Sequence, residues 1–224
     1  MADDELVRRV DEYLESRFVA HDPILAESLA AASTAGLPPI QVSPLQGKFL
    51  HLLAKSHGAR RILEVGTLGG YSTIWLARAL PTGGRLVTLE VDPRHAEVAR
   101  ANFARAHVEL LVDLRLGPAL DLLPKLAAEP GGPFDFVFLD ADKPNNAAYF
   151  DWAVKLGRPG TVIVVDNVVR KGAVAQPGSG DGNVEGTRRM NDQVAADPRV
   201  DATTIQTVGS KGHDGFLLAV VRDG

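Results

Sequence analysis

The sequence contains no cysteine. That excludes a disulfide framework, a zinc ribbon, an iron–sulfur cluster and a thiol nucleophile. Basic residues are not in excess either: 24 Lys and Arg stand against 28 Asp and Glu, a formal charge of −4. The broad basic footprint that favours nucleic acid is missing, so nucleic acid is not the expected partner. No apolar run approaches the roughly 20 residues that span a bilayer, and no membrane partner is expected. The first residues, Met1-Ala2-Asp3-Asp4-Glu5, are acidic where a signal peptide would be basic and then apolar. The expected location is the cytoplasm. Internal repeats and long low-complexity tracts are absent as well.

What is present fits an ordinary globular chain. Its 224 residues are 45% hydrophobic and 23% charged, with 22 Gly and 14 Pro. That length suits one α/β domain, or at most two small ones, and can bury a sizeable core. Leu6, Val10, Tyr13, Leu14 and Phe18 recur at helical spacing. Ile24 to Ala35 reads as a second helix, stopped by Gly36 and Pro38-Pro39. Ser43-Pro44-Leu45-Gln46 starts a third, with Ser43 as cap, Pro44 in the first turn and Gln46 completing a capping box. That helix should run to about Ser56 and stop at Gly58.

Beyond residue 61 short apolar runs alternate with helical segments. The runs are Ile62–Val65, Leu86–Leu89, Val112–Leu116, Phe134–Leu139 and Thr161–Val165. The helices between them begin near Tyr71, Pro93, Pro118 and Asn145. This rhythm predicts a parallel sheet covered on both faces. A helix near Val184–Ala196 is then followed by Val200–Val208 and Gly215–Val221, which should form an antiparallel hairpin at one edge. The expectation is an α/β fold with a seven-stranded, mostly parallel sheet. Residues 1–57 form a helical N-terminal cap on a 58–224 core.

In such a sheet a ligand lies outside the carboxyl ends of the strands. After the first strand comes Glu64-Val65-Gly66-Thr67-Leu68-Gly69-Gly70-Tyr71-Ser72. Its glycines allow a tight turn and a close ligand, although a purely structural strand-to-helix turn reads the same way. Glu64 stands where a dinucleotide motif has its first glycine. A carboxylate there repels a diphosphate and favours an ammonium group, which points to an amino-acid-bearing nucleoside such as S-adenosylmethionine. Glu90 ends the second strand, where an acid holds ribose hydroxyls or is simply solvated. The fourth strand runs into Asp140-Ala141-Asp142-Lys143 and the fifth into Asp166-Asn167. Oxygen donors at neighbouring strand ends suit a hard cation such as magnesium. Asp166 and Asn167 cannot both face one ion from a regular strand, so the chain should leave strand geometry there.

Four segments carry a family resemblance: Leu63-Glu64-Val65-Gly66-Thr67-x-x-Gly70-Tyr71-Ser72, Leu116-Gly117-Pro118-Ala119-Leu120, Leu139-Asp140-Ala141-Asp142-Lys143 and Val165-Asp166-Asn167-Val168. Together they resemble the cation-dependent, S-adenosylmethionine-dependent O-methyltransferases, which include the catechol and caffeoyl-coenzyme A enzymes. The resemblance spans most of the chain and implies a Rossmann-like class I methyltransferase fold. It implies that Val42, Glu64, Gly66, Thr67, Ser72, Glu90 and Ala119 contact the cofactor, Glu64 at the methionine ammonium and Glu90 at the ribose. Asp140 and Asp142 would face it too. Asp140, Asp166 and Asn167 would hold Mg2+ (or Mn2+ or Ca2+), and Lys143 would be the general base. Lys171 falls where some relatives have an Asn that touches substrate.

The implied reaction is methyl transfer to a hydroxyl of a small catechol-type aromatic. A tRNA hydroxyuridine methyltransferase and a non-catalytic cofactor-binding module are the alternatives. A local basic patch of Arg170, Lys171, Arg188 and Arg189 would serve the RNA reading. The stretch from Gly172 to Gly186, rich in glycine and holding Pro177, is too Gly-rich for a regular element and reads as a mobile lid or as a disordered surface insertion with no role. His213-Asp214 in the last hairpin either approaches the substrate pocket or is turn polarity, and it stays outside the catalytic set. The apolar stripe of the N-terminal helices suggests a homodimer.

Overall fold

The computed structural model describes residues 4–176 and 178–223. Met1 to Asp3, Pro177 and Gly224 lie outside it. Three helices come first: α1 (Asp4–Phe18), α2 (Pro23–Thr34) and α3 (Pro44–His57). Strand and helix then alternate through β1 (Arg61–Val65), α4 (Tyr71–Ala77), β2 (Arg85–Glu90), α5 (Pro93–Arg105), β3 (Val112–Leu116), α6 (Ala119–Ala128), β4 (Phe136–Leu139), α7 (Asn146–Leu156) and β5 (Val162–Asp166). The chain closes with α8 (Gly182–Ala196), β6 (Val200–Gly209) and β7 (Gly212–Val221). The strands form one sheet in the order β3-β2-β1-β4-β5-β7-β6. The first five run parallel, and β7 pairs antiparallel with both β5 and β6. Among the described residues no helix is long and apolar enough to cross a membrane.

The two faces of the sheet follow strand alternation. Leu63, Val65, Val137, Leu139, Ile163 and Val165 pack with residues of α6, α7 and α8. Ile62, Leu86, Phe136, Phe138, Val162 and Val164 pack on the opposite side with residues of α3, α4 and α5. Every residue of β4 and β5 is buried, as expected for strands covered on both faces.

Local chemistry sets the element ends. Ser43 Oγ accepts the Gln46 N–H at 3.2 Å, and Gly58 ends α3 in the left-handed region at φ 70°. The Gln46 side chain lies near the Asp166 carboxylate and favours its ionised form. β4 starts two residues later than its apolar run. Asp135 at that point accepts the N–H groups of Arg60 and Arg61 at 2.8 and 2.9 Å and pairs with Arg158. The closing hairpin turns over only Ser210 and Lys211, so its strands extend to Gly209 and Gly212.

The glycine-rich stretch after β5 departs from expectation. Arg170–Ala175 forms a short 3-10 segment, kinked at Lys171 and Gly172, and α8 begins at Gly182. Asp181 caps α8 by accepting the Asn183 N–H at 2.7 Å. Gly186 belongs to this helix because α8 crosses the Lys143 carbonyl there. A Cβ at Gly186 would lie 2.4 Å from that oxygen.

Candidate active site

Strand order reverses between β1 and β4, and the crevice at such a reversal is where open α/β sheets bind ligands. A cavity of about 730 Å³ opens there. The chain turns away from β1 at Gly66, at φ 100°, directly against the end of β4. A Cβ on Gly66 would sit 2.0 Å from the Asp140 carbonyl oxygen, so only glycine lets the two strand ends meet.

Of the residues expected to bind cofactor, Val42, Gly66, Thr67, Ser72, Glu90, Ala119, Asp140 and Asp142 all line this cavity. Lys143 and Asn167 line it too. Glu64 and Asp166 do not.

Glu64, expected at the cofactor's ammonium, meets the cavity through a lining residue, Ser72. It shares the face of Ile62, toward α4, and is fully buried. Its carboxyl accepts from Ser72 Oγ at 2.7 Å, Thr73 Oγ1 at 2.5 Å and Thr88 Oγ1 at 2.7 Å. Burial pushes its pKa up to about 7, against the pull of these three hydroxyls. Strand alternation thus places the acid beneath the glycine loop, where it orients Ser72, which does reach the cavity.

Glu90 is held differently. One carboxylate oxygen accepts the N–H groups of Thr67 and Leu68 at 3.2 and 2.8 Å. The other accepts those of Val91 and Asp92, both at 2.9 Å. The side chain therefore ties the β1–α4 loop to the β2–α5 loop.

At the other end, Lys143 is buried and its Nζ donates to Asp140 Oδ1 at 3.0 Å. Asp166 lies on the face of Val164, behind the cavity wall, and meets Gln46 of α3. Burial and the nearby Asp140 push its carboxyl up to about 7, while Lys143 and Gln46 oppose that shift. Asn167 takes φ 60°, so the chain does leave strand geometry after Asp166. Among the described residues no three His, Cys, Asp or Glu side chains cluster as for a metal. The set here is two carboxylates and one amide.

Sequence reasoning missed several wall residues. Tyr149 lies seven positions beyond Asp142 and donates to it at 2.5 Å, while Asn145 donates to its other oxygen at 2.6 Å. Burial and Asp142 hold the Tyr149 phenol protonated, well above its usual range. His95 lines the cavity beside Glu90, 3.5 Å from its carboxylate. Asp214 is more than turn polarity: it accepts the N–H groups of Val169 and Arg170, both at 3.0 Å. Asn145 and Tyr149 follow Asp142 at a helical spacing that could have signalled them, whereas Asp214 meets its partners only through the fold.

Comparison with known proteins agrees on one family. The O-methyltransferase family profile matches residues 15–220. A catechol O-methyltransferase of Mycobacterium tuberculosis is 57% identical over 213 residues, 95% of each chain. A catechol O-methyltransferase of Niastella koreensis is 50% identical over 218 residues, 97% of this chain and 99% of that one. Among solved structures, an O-methyltransferase from Bacillus cereus in complex with SAH superposes with a TM-score of 0.97 at 55% identity, covering 98% of this chain and all of that one. TomG from Streptomyces achromogenes, involved in tomaymycin synthesis and solved with SAM, gives 0.96 at 51% identity over the whole of both chains.

Proposed function

The chain belongs to the O-methyltransferase family and uses S-adenosylmethionine as methyl donor; from that premise we propose that it methylates a vicinal-hydroxyl aromatic small molecule with the help of a divalent cation. The observation that carries this reading is the convergence of Asp140, Lys143 and Asn167 on one cavity wall with Asp166 behind it. The catechol O-methyltransferase names of the two relatives support the substrate class.

The cation fits the residues present. Asp166 is a buried acid whose ionised form is opposed by burial and by Asp140, and a hard cation relieves both costs. Asp140, Asp166 and Asn167 would hold it, with Mg2+ as the expected ion. When bound, it lowers the proton affinity of the coordinated hydroxyl, which as a free phenol is a poor nucleophile at neutral pH.

This chain's residues do the rest. The β1–α4 loop and Ala119 position the cofactor, and Glu90 fixes that loop. The acceptor hydroxyl gives its proton to the Lys143 amine. Its oxygen lone pair attacks the sulfonium methyl, and the carbon–sulfur electron pair returns to sulfur. The products are a methyl ether, S-adenosylhomocysteine and the Lys143 ammonium. Most of the acceleration is alignment of oxygen, methyl carbon and sulfur in line.

The proposed unit is one domain acting as a cytoplasmic homodimer. The exposed Leu6, Val10, Tyr13 and Phe18 of α1 support pairing with a second copy. Radiolabelled methyl transfer to catechol tests the reaction. Magnesium should support it and chelator should abolish it. Full activity in chelator would overturn the cation, and no transfer to any catechol would overturn the substrate.

A further inference from the structure

Beyond the reacting groups, the acceptor wall carries a cation that methyl transfer does not use. Arg170 lies four residues past β5, in the left-handed region at φ 53°. Non-glycine residues hold that conformation only when their surroundings enforce it. Asp214 of β7 does so through its two bonds to the Val169 and Arg170 N–H groups. With its backbone held there, Arg170 lines the main cavity alongside Asn167 and Lys143. It also lines an adjoining cavity of about 480 Å³.

The Arg170 Nε is buried and has no hydrogen-bond partner. A buried N–H without an acceptor is costly, and natural structures rarely leave one so. Nearby, Asp214 is engaged on the backbone, and Asp181 caps α8 through one oxygen and feels the Arg170 charge without bonding its Nε. Arg188 and Arg189 are turned onto the protein's own Val174 and Pro144 carbonyls. The basic patch seen in the sequence therefore divides. Two of its arginines bond the protein's own carbonyls, Lys171 lies at the rim of the adjoining cavity, and Arg170 alone of the four lines the main cavity. A polyanion such as RNA needs several exposed cations. One recessed guanidinium suits one planar anion, which it can bind through two parallel N–H bonds.

Building on the acceptor site proposed above, we propose that Arg170 binds a carboxylate carried by the aromatic acceptor. The preferred substrate is then a vicinal-dihydroxy aromatic acid, not a neutral catechol. Its hydroxyls meet Lys143 and the Asp140 side while its carboxylate meets Arg170 on the same wall.

The test compares protocatechuic acid with its neutral methyl ester, with magnesium and saturating S-adenosylmethionine. Wild-type kcat/KM should favour the acid about tenfold or more. Arg170→Gln should lower kcat/KM for the acid by about tenfold to a hundredfold, mainly through KM, and leave the ester within about twofold. Arg170→Lys should restore part of the preference, since it keeps the charge and loses the fork. Equal use of acid and ester by the wild type overturns the proposal, as does an equal loss on both in Arg170→Gln. Should that variant fail to bind cofactor in calorimetry, the wild-type ratio of acid to ester decides alone. Methylation of neither compound overturns the catechol reading itself, a result distinct from a lost preference.

Discussion

Glu90 accepts four backbone N–H groups, two on each oxygen, whereas across the cavity Asp140 accepts Lys143 and Asp166 accepts the Asn167 N–H. Both regions place acids at strand ends. In the first, the main chain fixes the carboxylate, and the carboxylate fixes two loops in return. In the second, side chains face one another with like charges only partly compensated, and Asp166 titrates far above its ordinary range. The cofactor end is built as architecture and the acceptor end as chemistry.

The strongest challenge to this division is Lys143→Ala. It should cut turnover by about a hundredfold or more while calorimetry finds cofactor affinity nearly unchanged. Lost cofactor affinity would move Lys143 to the architectural side. Next is Glu90→Gln, which leaves two loops competing for a single carbonyl acceptor. Urea denaturation should show a loss of about 1–3 kcal/mol. An unchanged midpoint would mean that the four bonds hold nothing together. Gln46→Ala comes third. Removing a side chain that favours the ionised Asp166 should raise the magnesium concentration needed for half-maximal activity about tenfold, with maximal rate largely kept.

The smallest effect concerns Glu64. Its folded-state pKa is raised from 4.5 to about 7. The stability it contributes is therefore complete below about pH 4.5 and is lost as pH rises through about 7. Glu64→Gln, which does not titrate, should flatten that decline in urea midpoints measured in chelator. The share due to Asp166, shifted the same way, remains. A slope identical to wild type would remove Glu64 as its source.

The sequence made the strand–helix rhythm legible because apolar periodicity reports burial directly. Ser43, Pro44 and Gly58 marked α3, since capping chemistry is local. The acid-bearing strand ends at Asp140 and Asp166 were also plain, as polar interruptions of apolar runs. Side-chain direction was harder. Glu64 follows the alternation of β1, but its sequence position does not show that its carboxyl is shared among Ser72, Thr73 and Thr88. Gln46 looked like a capping partner because local spacing cannot show Asp166 more than a hundred residues away. Glycine between 172 and 186 suggested irregular chain throughout. At Gly186 it instead answers a close approach between α8 and another loop, which composition alone does not distinguish from flexibility. Asp214 was hidden because its partners are backbone groups of a loop brought beside β7 only by folding.

Gly186 has a consequence for anyone redesigning the acceptor range. It seats α8 on the carbonyl of Lys143, and the same helix carries Asn183 into the cavity wall. Remodelling the mouth by tilting this helix would therefore displace Lys143, the proposed base, as well. Substitutions at the mouth that preserve the helix axis can alter what enters and leave the proton acceptor where it is. Any side chain at position 186 couples the two, and selectivity would then be bought with rate.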